Sequence, residues 1–347
     1  MSSFLTDCFA RYEKMPESTR KWSLTEKDIR VMQKARWCVT EKIHGAHFVF
    51  LTNGQDVLCA KRKEVLESDD PFFGYAAVLE RHEQKVLGLF HQIHKQDPSL
   101  RAVLVYGELY GGEYPHPDVA PSQGVQAVQT GVYYAPEIQF CAFDLGVVSE
   151  SGERSYVAYE VALEQLEEAN IPVAAPLFVG SYEDALAYEP IFPSLVPSLL
   201  GLPTLPQPNW AEGVVIKPME ALLVNGKKGL VRPIVKHKHP QFMEDARFHQ
   251  AKRWTPSFTS EPTTTLLDEA IARCTQTRWD NAVSKIGRPK KLKSNMWRKV
   301  EALFVEDVLS ELEEDFSTLW MKATSEDIAI ISEEVEATFQ KLMLSSK

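Results

Sequence analysis

From Trp37 to Lys238 the apolar residues of this chain fall mainly into short runs, and after about Met243 those runs stop. That change of period constrains the fold more than any other feature: a two-residue period buries one face of a strand, a 3.6-residue period one face of a helix. Within the first stretch, the runs on either side of Asn53-Gly54 read as a hairpin with a two-residue turn. Further strands are expected in Arg101–Tyr110, Glu137–Val148, Ala211–Pro218 and Leu230–Lys238. Helical spacing intervenes at Leu79, Val86, Phe90 and Ile93, and again in "VALEQLEEAN", which Asn170 and Pro172 bring to an end. Strands and helices do not alternate regularly, so the class is α+β rather than doubly wound. Glu189–Asn209 is rich in proline and reads as a surface loop leading to the next strand.

The second stretch is helical. Leu267, Ile271 and Cys274 follow a helical pattern, as do Val300, Leu303, Val308, Leu312 and Phe316, and then Ile328, Ile331, Val335 and Phe339. "TSED" at Thr324–Asp327 reads as a capping box opening the last helix. A boundary near residue 245 divides the chain into domains 1–245 and 246–347, and 347 residues suffice for two. With 44% hydrophobic and 25% charged residues the chain is globular rather than disordered. No run approaches the roughly 18 apolar residues of a membrane helix, and "MSSFLTDCFARYEKMPES" lacks the layout of a signal peptide. Five cysteines without a CxxC pair argue for reduced thiols in the cytoplasm or another reducing intracellular compartment, and against a zinc site. The net charge of −10 weighs against non-specific nucleic-acid binding, yet Ser284–Lys299 carries seven basic residues and no acidic one. That segment is either a footprint for phosphates or a solvated loop.

Candidate chemistry begins at Lys42, in "EKIHG" at the end of an apolar run. The pattern KxxG alone is nearly worthless, since "KVLG" at Lys85–Gly88 matches it inside a helical stretch. Its company carries more weight. Arg62 follows the hairpin in "AKRK", Glu108 ends an apolar strand in "YGELYGG", and "FCAFDL" sets Phe143 beside Asp144. Glu212 and Lys217 lie in "AEGVVIKP", and Lys236 and Lys238 alternate in "KHK", so both face one side of a strand. Charges recurring in apolar strands are costly unless they have partners. A free lysine titrates near 10.4, so neutralising one at pH 7 costs about 4.6 kcal/mol. Nearby cations (Lys236, Lys238 and a bound Mg²⁺) would reduce that cost and stabilise charge on a triphosphate. Glu108 suits ribose hydroxyls, Phe143 a purine face, and Glu212 the metal, directly or through water.

This ordered set resembles the covalent nucleotidyltransferases, and within them the ATP-dependent RNA ligases of the phage RNA ligase 2 type, which include the kinetoplastid editing ligases. "EKIHG", "GVYYAPEIQFCAFDL", "SLLGLP…AEGVVIKP" and "FARYEKMPE" carry the likeness over about residues 9–243. For the helical part it rests on domain order. The resemblance implies an antiparallel-sheet nucleotidyltransferase domain, then a smaller all-helical RNA-engaging domain. It makes Lys42 the nucleophile that forms lysyl-AMP from ATP with Mg²⁺ or Mn²⁺, and gives His44 a part in the later steps. Glu41, Ile43, Arg62, Glu108, Phe143, Glu212, Lys236 and Lys238 then match the nucleotide pocket. The substrates implied are RNA ends or nicked duplex RNA, joined by a monomer that can serve within a repair or editing complex. One position departs: where the family commonly has "HGTNF", this chain reads "HGAHF". His47 near the phosphates would make the first step pH-dependent if it titrates near neutrality. Two alternatives stay open, a DNA ligase or capping enzyme, and a catalytically weak RNA-binding subunit of a repair complex.

Overall fold

A computed structural model of the chain describes residues 3–67, 70, 72–227, 229–242, 261–286 and 294–345. Contacts separate it into two compact units, Met1–His239 and Pro240–Lys347. The expected boundary near 245 and the lysines Lys290, Lys291 and Lys293 lie outside the described residues.

In the first unit the elements run α1 (Ser3–Cys8), α2 (Glu26–Lys34), β1 (Trp37–Glu41), β2 (Ala46–Thr52), β3 (Val57–Lys61), α3 (Tyr75–Gln96), β4 (Leu100–Glu113), β5 (Ala135–Ser149) and β6 (Arg154–Tyr156). They continue with α4 (Tyr159–Glu168), β7 (Pro176–Gly180), α5 (Tyr182–Leu186), α6 (Val196–Leu199), β8 (Gly213–Pro218), β9 (Val224–Gly226), β10 (Gly229–Val231) and β11 (Val235–Lys238). One antiparallel sheet has the order β3-β2-β4-β5-β6, a second the order β11-β8-β1-β7, and β9 and β10 form a small ribbon.

Strand β2 shows how the sequence period sets the layers. Ala46, Phe48 and Phe50 point into a core that α3 covers with Val78, Val86, Leu89 and Phe90. Val49 and Leu51 point the other way, onto Leu5, Cys8, Tyr12 and Tyr106. His47 shares that second face by its register opposite Glu108 of β4. Phe48 and Phe50 are fully buried, and each truncation to Ala would cost about 3–5 kcal/mol.

The expectations are adjusted in places. The β2–β3 hairpin closes through residues 53–56 rather than a two-residue turn: Thr52 pairs with Val57, and Asn53 Oδ1 accepts from the Gln55 and Asp56 N–H groups. Leu230–Lys238 is not one strand but β10 and β11, interrupted at Pro233, which has no N–H to give to a ladder. Strand β7, which pairs with β1, carries too little apolar alternation to be seen in the sequence. The Pro-rich stretch is a loop apart from α6.

The second unit contains α7 (Glu261–Arg273), α8 (Gln276–Ile286), α9 (Ser294–Asp315), α10 (Ser317–Trp320) and α11 (Ser325–Ser345). Leu267, Val300, Val308, Leu312, Ile331, Val335 and Phe339 form its core, with Phe304 in the buried position expected of Leu303. The capping box forms: Thr324 N–H donates to Asp327 Oδ2 at 2.8 Å and Asp327 N–H to Thr324 Oγ1 at 3.2 Å. Buried Arg278 is held by Asp307 and Glu311, each at 2.6 Å. No helix among the described residues is long and apolar enough to cross a membrane, and all five cysteines are free and buried.

Candidate active site

Lys42, Ile43 and His44 form the link from β1 to β2, which belong to different sheets. Gly45 allows this link to lie against β4: a Cβ there would stand 2.0 Å from the Leu109 carbonyl oxygen and 2.8 Å from Glu108 Cγ. At the other wall, Lys42 N–H donates to the Gly213 carbonyl at 2.9 Å. Gly213 has φ +141°, and a Cβ on it would meet the His237 carbonyl at 2.1 Å, so no other residue fits there without displacement.

Glu212 is the electrostatic centre. The residue is 3% exposed, and its carboxylate accepts from Lys42 Nζ at 2.5 Å, lies 3.2 Å from His44 Nδ1, and has Lys238 Nζ at 3.7 Å. Burial pushes this carboxyl upward, but Lys42, His44 and Lys238 outweigh it and hold the group well below the usual carboxylate range. The expected arrangement had cations around the lysine. Instead they gather around a shared carboxylate, and Lys42 has Glu212 as its near partner.

Glu108 faces the same centre. Burial pushes its carboxyl up to about 8, with Glu212 adding to the rise and Lys42, Arg62 and the Gly45 N–H opposing it. Arg62 lies in the turn just past β3 rather than on the strand itself, and its charge reaches both Glu108 and His47. Lys236 and Lys238 do share one face of β11, as alternation requires. Only Lys238 turns to Glu212, while Lys236 pairs with Glu17 at 3.5 Å.

His47 differs from the expectation of a group titrating near neutrality. Burial, with Arg62 adding to it, pushes its ring down to about 3, so it is neutral at physiological pH. Both ring nitrogens are buried without a hydrogen-bond partner. Tyr12, Tyr106 and Phe143 surround the imidazole at ring-centroid distances of 6.1, 6.2 and 5.8 Å. Phe143 is half-buried and meets Tyr12 edge to face at 5.0 Å.

Three sequence candidates have their side chains occupied elsewhere. The buried Glu41 carboxylate accepts from Ser194 Oγ at 2.6 Å and Leu195 N–H at 2.9 Å, so it secures the Pro-rich loop. Asp144 accepts from Tyr12 Oη at 2.8 Å and Arg232 at 2.9 Å. Lys217 donates to the Phe143 carbonyl at 2.5 Å and lies 3.4 Å from the centre of the Tyr159 ring. Burial draws Lys217 down to about 8, with Asp144 opposing. Ile43 is buried. Sequence reasoning missed Arg232, which spans Glu13 and Asp144 over the Tyr156 ring and ties the N-terminal segment to the sheet. It also missed Tyr134, whose hydroxyl accepts from His44 N–H at 2.9 Å. Both lie within stretches singled out in the sequence, Gly131–Leu145 and Leu230–Lys238, but nothing in residue type or spacing marks which distant groups they meet.

The donors fit a nucleotide. Lys42, Lys238 and Arg62 supply positive charge, Gly45 and Gly213 remove side-chain bulk, and His47 offers two unsatisfied nitrogens beside the Phe143 ring. Among the described residues, no group of three or more His, Cys, Asp or Glu could hold a metal by itself.

The RNA ligase family profile matches residues 35–238, and that of the T4 RNA ligase 2 C-terminal domain matches residues 257–341. The mitochondrial RNA-editing ligase 2 of Trypanosoma brucei brucei is 28% identical over 228 residues, 60% of this chain and 55% of that one. The mitochondrial RNA-editing ligase 1 of the same organism is 30% identical over 258 residues, 66% of this chain and 54% of that one. The chain thus spans about half the length of these relatives. Among solved structures, a Naegleria gruberi RNA ligase variant with ATP and Mn aligns at TM-score 0.43 and 13% identity, covering 68% of this chain and 57% of that one. Lys42, Arg62, Glu108, Phe143, Glu212 and Lys238 all fall within the stretch matched by the first profile. The chain belongs to the RNA ligase family.

Proposed function

We propose that the chain is an ATP-dependent RNA ligase that joins 3′-hydroxyl and 5′-phosphate RNA ends through lysyl-AMP and RNA-adenylate. The observation that carries this reading is the buried Glu212 carboxylate with Lys42 Nζ at 2.5 Å and Lys238 Nζ at 3.7 Å, within a chain of this family. Lys42 Nζ attacks the α-phosphorus of ATP; an N–P bond forms as the P–O bond to pyrophosphate breaks. Glu212 remains ionised beside its cations, so it orients Nζ and is a poor resting place for the proton, which leaves to solvent or with pyrophosphate. Lys238 and Arg62 offset phosphate charge, Glu108 receives the ribose hydroxyls, and Phe143 stacks on the base. An RNA 5′-phosphate oxygen next attacks the AMP phosphorus and releases Lys42. The 3′-hydroxyl then displaces AMP and seals the strand, with His44 serving these later steps. A divalent cation, Mg²⁺ or Mn²⁺, supplies neutralisation of phosphate charge and would draw its ligands mainly from phosphates and water, with Glu212 as the protein carboxylate.

Residues 1–245 are assigned the chemistry and 246–347 the engagement of RNA. Five buried free cysteines suit a reducing intracellular compartment. The relatives are named RNA-editing ligases; this chain is assigned a role as a monomer that can serve within an editing or repair complex. Incubation with α-labelled ATP and divalent metal tests the reading. Covalent label is expected in the wild type and in Lys85→Ala, and none in Lys42→Ala. Label retained by Lys42→Ala would refute the assignment of the nucleophile.

A further inference from the structure

Trp210 and His239 stack at a centroid distance of 5.7 Å with their planes 24° apart, and both are half-buried. Among the described residues Trp210 belongs to none of the buried apolar clusters, so its ring is not explained by core packing. Its place is specific. Trp210 stands two positions before Glu212, and His239 follows Lys238, whose Nζ is 3.7 Å from Glu212. His239 N–H donates to the Glu212 carbonyl at 2.8 Å, which locks the two segments together. The stacked pair thus adjoins along the chain two residues of the Lys42 site, Glu212 and Lys238.

The chain invests in holding it there. Ala211 N–H donates to Phe192 O at 2.9 Å and Ser194 N–H to Asn209 O at 2.8 Å, with a bridge between Pro193 and Trp210. The buried Glu41 carboxylate clamps Ser194 and Leu195, and Asn209 exchanges bonds with Tyr133 at 2.9 and 2.6 Å. A chain of polar contacts thus runs from the residue before the nucleophile to an aromatic pair that stays partly open. An open aromatic platform beside a cationic phosphate pocket is the chemistry that holds an unpaired nucleotide: the base stacks while its phosphate meets the cations.

We propose that Trp210, backed by His239, is the stacking platform for the terminal nucleobase of the RNA strand that bears the 5′-phosphate. This rests on the RNA-ligase reading, and the test separates the two. The wild-type chain, Trp210→Ala and Trp210→Phe are compared by fluorescence anisotropy on RNA whose 5′-phosphate nucleotide is either normal or abasic, and lysyl-AMP formation is measured with ATP alone. A lost stack of roughly 1–3 kcal/mol corresponds to about a 5- to 150-fold rise in Kd. That rise is expected in wild type on the abasic end and in Trp210→Ala on the normal end. Trp210→Ala should show no further rise on the abasic end, and Trp210→Phe should recover most of the affinity. Lysyl-AMP formation should be equal in all three. Either an abasic penalty that persists in full in Trp210→Ala, or a loss of lysyl-AMP that accompanies the loss of affinity, would overturn the platform. Absence of lysyl-AMP in the wild type would instead overturn the ligase reading, and the Kd comparison would still decide the platform.

Discussion

Removing the Glu212 carboxylate should be among the most damaging single changes in the first unit. Glu212→Ala leaves Lys42, His44 and Lys238 around a hole in which the side chains of His44 and Lys238 are 7% and 3% exposed. Breaking a buried ion pair by deleting one partner costs about 3–5 kcal/mol. Lys42, with 18% of its side chain exposed, recovers part of its hydration and keeps the loss toward the lower end. Against a total stability of about 5–15 kcal/mol, that is a large fraction. For a unit of this size it corresponds to a fall in Tm of roughly 6–20 °C. The sign with pH follows from a carboxyl held below its ordinary value. Its contribution is full above the unfolded value, near 4.3, and is lost as pH falls through the lower folded value. Scanning calorimetry and urea unfolding of wild type and Glu212→Ala at pH 7 should show the full gap, and a series below pH 4 a narrowing one. A loss under about 1 kcal/mol at pH 7, or a gap that widens in acid, would refute the picture of a buried charge centre.

Other outcomes follow from the same geometry. Glu108→Gln should remove a pH dependence: with the carboxyl raised to about 8, its stabilising contribution is full below about pH 4 and is lost as pH rises toward 8, so the variant should gain in Tm over wild type most clearly above pH 8, while losing nucleotide affinity. Phe143→Ala should weaken ATP binding by roughly 1–3 kcal/mol, measured by isothermal titration, and unchanged affinity would return the ring to a packing role. His47→Asn should leave the pH profile of lysyl-AMP formation between pH 5.5 and 8 unaltered, because the ring is already neutral there; a lost inflection near 6.5 would contradict this. Neutralising Lys290, Lys291 and Lys293 should flatten the salt dependence of RNA binding by up to about 0.7–0.9 log units of slope per lost phosphate contact, leaving lysyl-AMP formation intact.

Much of the fold and the site was legible in the order of residues because it is written locally. Alternation in β2, β4 and β5, helical spacing in α3 and α11, and the reciprocal cap of Thr324 and Asp327 each depend on neighbours within a few positions. The likeness of Lys42, Glu108, Phe143, Glu212 and Lys238 to a known pattern is also readable there, from their order along the chain rather than from near neighbours. What the tertiary structure alone decided is how those groups are paired. Lys236 and Lys238 are equivalent by alternation, yet one meets Glu17 and the other Glu212. Glu41 adjoins Lys42 but serves the loop at Ser194. His47 belongs to a residue type that titrates near neutrality, and burial among Tyr12, Tyr106 and Phe143 takes it far below. Side-chain direction follows from backbone period and can be read from sequence. Desolvation and Coulomb partners depend on which distant strands close over a group, and those exist only once the chain has folded.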